Sequence, residues 1–139
     1  MRVRVVIYNR QSQAVLLIHR LKNGRDYWVV PGGGAEGQET PTQTAIREIY
    51  EELQMVLAPD GLYQLFVLQE KEREVFFYAE ATQVTTPDIS GEEAERASAT
   101  NVYLPTWVKV NNLPQTNLMP PEVSGKIVKF FNKIQEDNG

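Results

Sequence analysis

The chain has no cysteine, which excludes a disulfide framework and any thiolate-held metal. Its single histidine, His19, closes an apolar run and reads as a strand-end residue rather than a ligand. No apolar run is long enough to span a bilayer. The opening "MRVRVVIYN" has neither the long apolar stretch nor the small-residue cleavage site of a secretory leader. Together these absences predict a cytoplasmic chain with no membrane partner. Basic residues are outnumbered, 14 Lys and Arg against 18 Asp and Glu, giving a net charge of −4 and a pI near 5.1. A broad basic face for a nucleic-acid polymer is therefore not expected. Internal repeats and low-complexity segments are absent as well.

What is present is an ordinary globular mixture. The 139 residues, 42 % of them hydrophobic, suffice for one domain over 1–139 with its own core. "VRVVIYN" (Val3–Asn9) and "AVLLIHR" (Ala14–Arg20) predict a hairpin around "NRQSQ". "NGRD" is a second turn, "YWVV" (Tyr27–Val30) a short strand, and "PGGG" (Pro31–Gly34) ends it. "LYQLFVLQ" and "EVFFYAEA" form another strand pair with a charged tip. Thr85–Asn101 reads as a long polar loop, and long loops in compact domains are commonly functional. Val102–Val110 reads as a strand in which Pro105 marks a bulge or an edge.

Two helices stand out. Thr40 as N-cap, Pro41 in the first turn and Gln43 three residues after the threonine make a capping box, so a helix is expected over about 41–54. Ala45, Ile46, Ile49 and Leu53 recur on its apolar side. Near the end, Val123, Ile127, Phe130, Phe131 and Ile134 share a stripe, which predicts an amphipathic helix over about 121–135. The fold class expected is α/β (α+β): a mixed sheet with these helices against it.

The first helix carries an electrostatic oddity. "REIYEEL" places Glu48, Glu51 and Glu52 in one patch pointing largely away from the apolar side, at about 100° of turn per residue. Like charges at helical spacing repel by roughly 0.2–0.5 kcal/mol per pair. A solvated face is the plain explanation, but Arg47 is the only cation nearby. The acids also occupy the middle and later part of the helix, where the macrodipole does not reward negative charge. A divalent cation would relieve the repulsion, since Mg²⁺ and Mn²⁺ take hard oxygen ligands. Gly32, Gly33 and Gly34 permit close backbone approach, presenting a carbonyl to a cation or amides to a phosphate; the other explanation is a tight strand-to-loop turn.

The stretch "GGAEGQETPTQTAIREIYEELQM" (Gly33–Met55) resembles the Nudix box of the MutT-like pyrophosphohydrolases. Gly33, Glu39, Arg47, Glu48, Ile49, Glu51 and Glu52 all stand where that pattern requires them. Gln54 departs from it, replacing a glycine that would serve as C-cap, which puts the helix exit in question. The order of strands and helices resembles the Nudix fold, an α/β/α sandwich. The resemblance implies that Glu48 and Glu52 are the principal Mg²⁺ (or Mn²⁺) ligands, joined by Glu51 and the carbonyl of Gly32. It implies that Glu39 and Arg47 hold loop and helix together. It also implies hydrolysis of a nucleoside diphosphate linked to another moiety, a small-molecule substrate, by water attack on phosphorus, and it allows a homodimer. The general base is expected either inside the box at Glu48 or on the polar loop at Glu92, Glu93 or Glu95, where a solvated "GEEAER" is the plain alternative. The alternative function is a Nudix-like domain that binds a nucleotide without cleaving it. A metal-free acidic interaction domain is a further one.

Several residues outside the helix are candidates for the substrate. Arg20 and Arg25 suit phosphate through their planar forks, with surface ion pairs as the alternative. Gly33 and Gly34 border the same turn. Trp28 or Tyr27 could stack on a base, whereas Tyr103 and Trp107 are expected in the core. Nothing in the box identifies the group attached to the diphosphate.

Overall fold

The computed structural model describes residues 1–82 and 87–138, with side chains to Ile134. Seven strands form one mixed sheet: β1 (Arg2–Asn9), β2 (Ala14–Lys22), β3 (Arg25–Val29), β4 (Gly32–Gly34), β5 (Tyr63–Gln69), β6 (Arg73–Glu80) and β7 (Asn101–Lys109). The main path runs β3-β2-β1-β6-β5, with β4 added to β1 and β7 to β2. Only β1 and β6 among these neighbours run parallel; the other pairs are antiparallel. Three helices complete the fold: α1 (Pro41–Leu53), α2 (Glu92–Arg96) and α3 (Glu122–Asn138). Among the described residues no helix is long and apolar enough to cross a membrane.

The strands are buried on both faces, so their apolar residues divide by parity. Val3, Val5, Ile7, Leu16, Ile18, Val75 and Phe77 pack with Ala45, Ile49 and Leu53 of α1. Val6, Val15, Leu17, Phe76 and Tyr78 pack with Val123, Ile127 and Phe131 of α3. The two helices thus cover opposite faces, which is the expected α/β/α sandwich. The β1–β2 hairpin and the β5–β6 pair form where the alternation predicts them. In "NGRD" the turn is only Asn23 and Gly24, both at positive φ (50° and 82°), so β3 begins already at Arg25. Such a two-residue primed turn matches the right-handed twist of the strands.

Two expectations change, and one of two alternatives is decided. Pro31–Gly34 does not simply end a strand, because Gly32–Gly34 pair with Arg4–Arg2 as β4. Pro105 marks an edge: β7 pairs only with β2, so its missing N–H faces no neighbour. The loop expected over Thr85–Asn101 begins outside the described residues, and its later part is not irregular but carries α2 and a Ser98–Asn101 bridge.

Helix α1 starts as the capping box requires. The Gln43 N–H donates to Thr40 Oγ1 (3.2 Å), and the Thr40 N–H donates to Gln43 Oε1 (2.9 Å). It ends with Gln54 in the left-handed region, φ 55° and ψ 30°, whose N–H donates to the Tyr50 carbonyl at 2.8 Å. The side chain there is exposed, so glutamine bears the steric penalty of a glycine position without a packing gain. Gln54→Gly is expected to stabilise the protein by about 0.5–1 kcal/mol, read as a rise of a few degrees in melting temperature. A fall in melting temperature would mean that the glutamine side chain holds the helix exit.

Candidate active site

The glycine strand and α1 are joined through Arg47. Its Nε donates to Glu39 Oε2 (2.7 Å) and its Nη2 to Glu39 Oε1 (2.9 Å), a two-point clamp. Nη2 also donates to the Gly34 carbonyl (2.9 Å), and Nη1 to Glu48 Oε1 (3.0 Å) and Glu51 Oε2 (3.1 Å). Glu39 is further fixed by the Glu36 amide (2.8 Å) and the Thr44 hydroxyl (3.2 Å). The Arg47 hydrogen bonds, ahead of the Glu36 amide, pull the Glu39 carboxyl down to about 2. The same partners push the Arg47 guanidinium upward. Gly34 is therefore tied to this clamp by its carbonyl.

The three acids of α1 sit in unlike surroundings. Glu51 is the outermost, with a side chain 52 % exposed. Glu48 is nearly enclosed, and burial raises its pKa against the pull of Arg47. Gly33 lies directly on it: a Cβ at Gly33 would collide with the Glu48 carboxyl group. Glu52 is buried at 4 % exposure, and its Oε2 has no hydrogen-bond partner. Burial, and then the charge of Glu93, push its pKa up to about 8, although the amide of Gly32 and the charge of Arg4 favour the ionised form.

The charge of Glu93 acts on this group because the chain returns at Ser90 to the end of α1. The Ser90 N–H donates to the Glu52 carbonyl (2.8 Å), and its hydroxyl reaches the Glu51 and Glu52 carbonyls (2.5 and 2.9 Å). Helix α2 follows, and the charge of Glu93 acts on both Glu48 and Glu52. Glu92 is 78 % exposed and pairs with Arg96 at 3.4 Å.

A model of the NUDIX domain matches residues 1–129 of the chain. The chain belongs to the Nudix hydrolase family. It is 34 % identical over 74 residues to the dihydroneopterin triphosphate diphosphatase of Haemophilus influenzae, covering 53 % of this chain and 46 % of that protein. Identity is also 34 %, over 70 residues, to diphosphoinositol polyphosphate phosphohydrolase 2 of Mus musculus, covering 50 % of this chain and 38 % of that one. The matches thus span less than half the length of these relatives. In fold, the chain is similar to an Ap4A hydrolase of C. elegans solved as a binary complex, with TM-score 0.72, 17 % identity, and 98 % and 99 % of the two chains covered.

Within this Nudix domain the substrate candidates divide between the two faces of the sheet. Leu16 and Ile18 point to the α1 side, so Arg20, next in that parity, does too. Its guanidinium lies 3.7 Å from the centre of the Tyr103 ring and 5.8 Å from that of Tyr27. Arg25 lies 4.9 Å from the Tyr27 ring. Arg20 Nη2 donates to Asn101 Oδ1 (2.6 Å) and Nε to the Val102 carbonyl (3.2 Å). Trp28 takes the opposite parity. It stacks on His19 at 4.2 Å and packs on the α3 side, away from Glu48. The candidate stacking rings on the acidic side are Tyr27 and Tyr103, and Tyr103 was expected only in the core. His19 meets Asp26 at 2.6 Å, outside the acidic group.

A cavity of about 880 Å³ is elsewhere again. It lies on the α3 side between Tyr8, Tyr63, Tyr78, Glu80 and Phe131 and contains none of the box acids.

The residues present fit a hard divalent cation. A buried carboxylate oxygen without a donor costs about 1–3 kcal/mol, and Glu52 Oε2 is in that state beside the enclosed carboxyl of Glu48. All candidate donors are oxygens, as Mg²⁺ and Mn²⁺ prefer. Among the described residues no three acidic groups are yet gathered as a cation cage. Arg47 Nη1 holds both Glu48 and Glu51.

Proposed function

We propose that the chain hydrolyses the diphosphate linkage of a nucleoside diphosphate joined to another group, with Mg²⁺ or Mn²⁺ on α1. The observation that carries this is Glu52: a carboxylate buried to 4 % exposure, with one oxygen unpartnered, next to Glu48. A structural acid would be expected to keep its hydrogen bonds or stay in water. Glu48 and Glu52 would hold the cation, with Glu51 and the Gly32 carbonyl adding to them; it would neutralise phosphate charge, polarise the phosphoryl oxygens and acidify the attacking water. Gly33 leaves the room in which the Glu48 carboxyl lies. Glu39 and Arg47 keep loop and helix in register. Glu93, whose charge acts on Glu48 and Glu52, takes the proton of the attacking water, a role that only a positioned group can fill. Arg20 and Arg25 offset the remaining phosphate charge. Tyr27 and Tyr103 offer ring faces to a base. The setting is cytoplasmic and the substrate a small molecule.

The relatives named above act, by their names, on dihydroneopterin triphosphate and on diphosphoinositol polyphosphate. A panel should therefore include nucleoside triphosphates, a dinucleoside polyphosphate, ADP-ribose, a nucleotide sugar and these two classes. Each is incubated with Mg²⁺ or Mn²⁺ and its products are separated by chromatography. At least one is expected to be cleaved at a phosphoanhydride, and a chelator should stop the cleavage. Tight binding of a nucleotide with no product from any of them would instead identify a regulator.

A further inference from the structure

We propose that Ser90 is a positioning residue for this reaction: it fastens the start of α2, and with it Glu93, to the carboxyl end of the Nudix helix that carries Glu48 and Glu52. The proposal rests on the hydrolase reading above. The last carbonyls of any helix lack partners within it. In α1 the Gln54 amide serves only Tyr50, so the Glu51 and Glu52 carbonyls would otherwise be left without a donor. Ser90 reaches both from 38 and 39 residues away, with its amide on Glu52 and its single hydroxyl proton shared between the two oxygens. Gly91 then presses against the same end: at φ 73°, a Cβ there would come to 3.0 Å from the Glu51 carbonyl oxygen.

The other end of α2 is fastened too. Asn101 Nδ2 donates to the Arg96 carbonyl (3.1 Å) while its Oδ1 accepts from Arg20. The segment therefore bridges the metal helix and a candidate phosphate contact. A helix of five residues has almost no stability of its own. Its place, and with it the place of Glu93, is set by these ties. Alanine removes the hydroxyl tie; threonine keeps it.

The test uses the full chain and whichever panel substrate the wild type cleaves. Ser90→Ala is expected to lower kcat roughly 10–100-fold, the range typical of groups that orient a metal site, with KM changed by less than about threefold. Ser90→Thr should restore most of kcat. Glu93→Gln should lose kcat to a similar degree, and the Ser90→Ala/Glu93→Gln double variant should be no slower than Glu93→Gln alone. Amide hydrogen exchange over residues 91–97 should accelerate in Ser90→Ala and not in Ser90→Thr. Unchanged kcat in Ser90→Ala, or losses that add in the double variant, would overturn the proposal while the hydrolase reading stands. If the wild type cleaves nothing, the hydrolase reading fails and the role in catalysis with it. Unchanged exchange in Ser90→Ala would remove the clamp itself.

Discussion

Glu52→Gln is expected to abolish most metal-dependent turnover while making the metal-free protein more stable at alkaline pH. Exchanges in the outer shell of a metal site commonly cost 10–100-fold, so loss of a direct ligand should cost at least roughly a hundredfold. The stability half follows from linkage. Folding raises the Glu52 carboxyl from its usual 4.5 to about 8, chiefly by burial. The contribution of the protonated acid is thus fully present below the unfolded value of about 4.5. It is lost as pH rises through the folded value, because the unfolded chain ionises freely and the folded one does not. Glutamine has the same shape and no charge to desolvate. In chelator, wild-type melting temperature should fall between about pH 4.5 and 8 and the variant should be flatter, overtaking the wild type by pH 8. Added Mg²⁺ should raise the wild type and leave the variant unmoved. A variant that retains normal turnover, or that still responds to Mg²⁺, would remove Glu52 from the metal site.

Gly32→Ala is expected to be the most damaging single exchange in the chain, and its neighbour Gly33→Ala to be damaging in a different way. Gly32 has φ 152°, outside what side chains tolerate. A Cβ there would run into the Val3 carbonyl oxygen and lie 2.8 Å from the Arg4 Cα. Both are backbone atoms of the strand that pairs with β2, β4 and β6, so no rotamer change relieves the clash. The cost should reach the exceptional class above about 4 kcal/mol, a large part of the 5–15 kcal/mol that holds a typical domain together. Poor expression or a melting temperature lowered by more than about 10 °C is the expected reading. At Gly33 the backbone is ordinary, and the three atoms nearest the added methyl all belong to the Glu48 carboxyl. That flexible end can swing aside. Gly33→Ala should therefore fold, with a melting temperature within a few degrees of wild type, and lose turnover because Glu48 has left its place. Normal turnover in Gly33→Ala would show that the position of Glu48 is not critical. A stable Gly32→Ala would show that β4 can part from β1 at little cost.

Much of this was legible because it is local. Period-two apolar runs predict strands buried on both faces, and Thr40, Pro41 and Gln43 carry the helix start within four residues. The box acids share a helix, so their common face follows from 100° per residue alone. At Gln54 the pattern leaves the helix exit open, and the left-handed φ of 55° shows which of the two exits the chain takes. Whether a residue at a strand edge or in a loop meets the acids is a different kind of question. Tyr27 and Trp28 are adjacent and equally apt to stack, and only strand parity against α1 and α3 separates them.

The sequence by itself therefore determined the Nudix class, the acidic face and the glycine turn beside it, because each depends on residues a few positions apart. The tertiary structure alone decided where the chain beyond the sheet returns to that helix. The start of α2 lies against the end of α1 because Ser90, 38 residues beyond Glu52, supplies the donors that the end of α1 lacks. A hydrogen bond across that distance leaves no periodicity, spacing or charge pattern in the chain. It exists only once the sheet has closed and brought the two segments together.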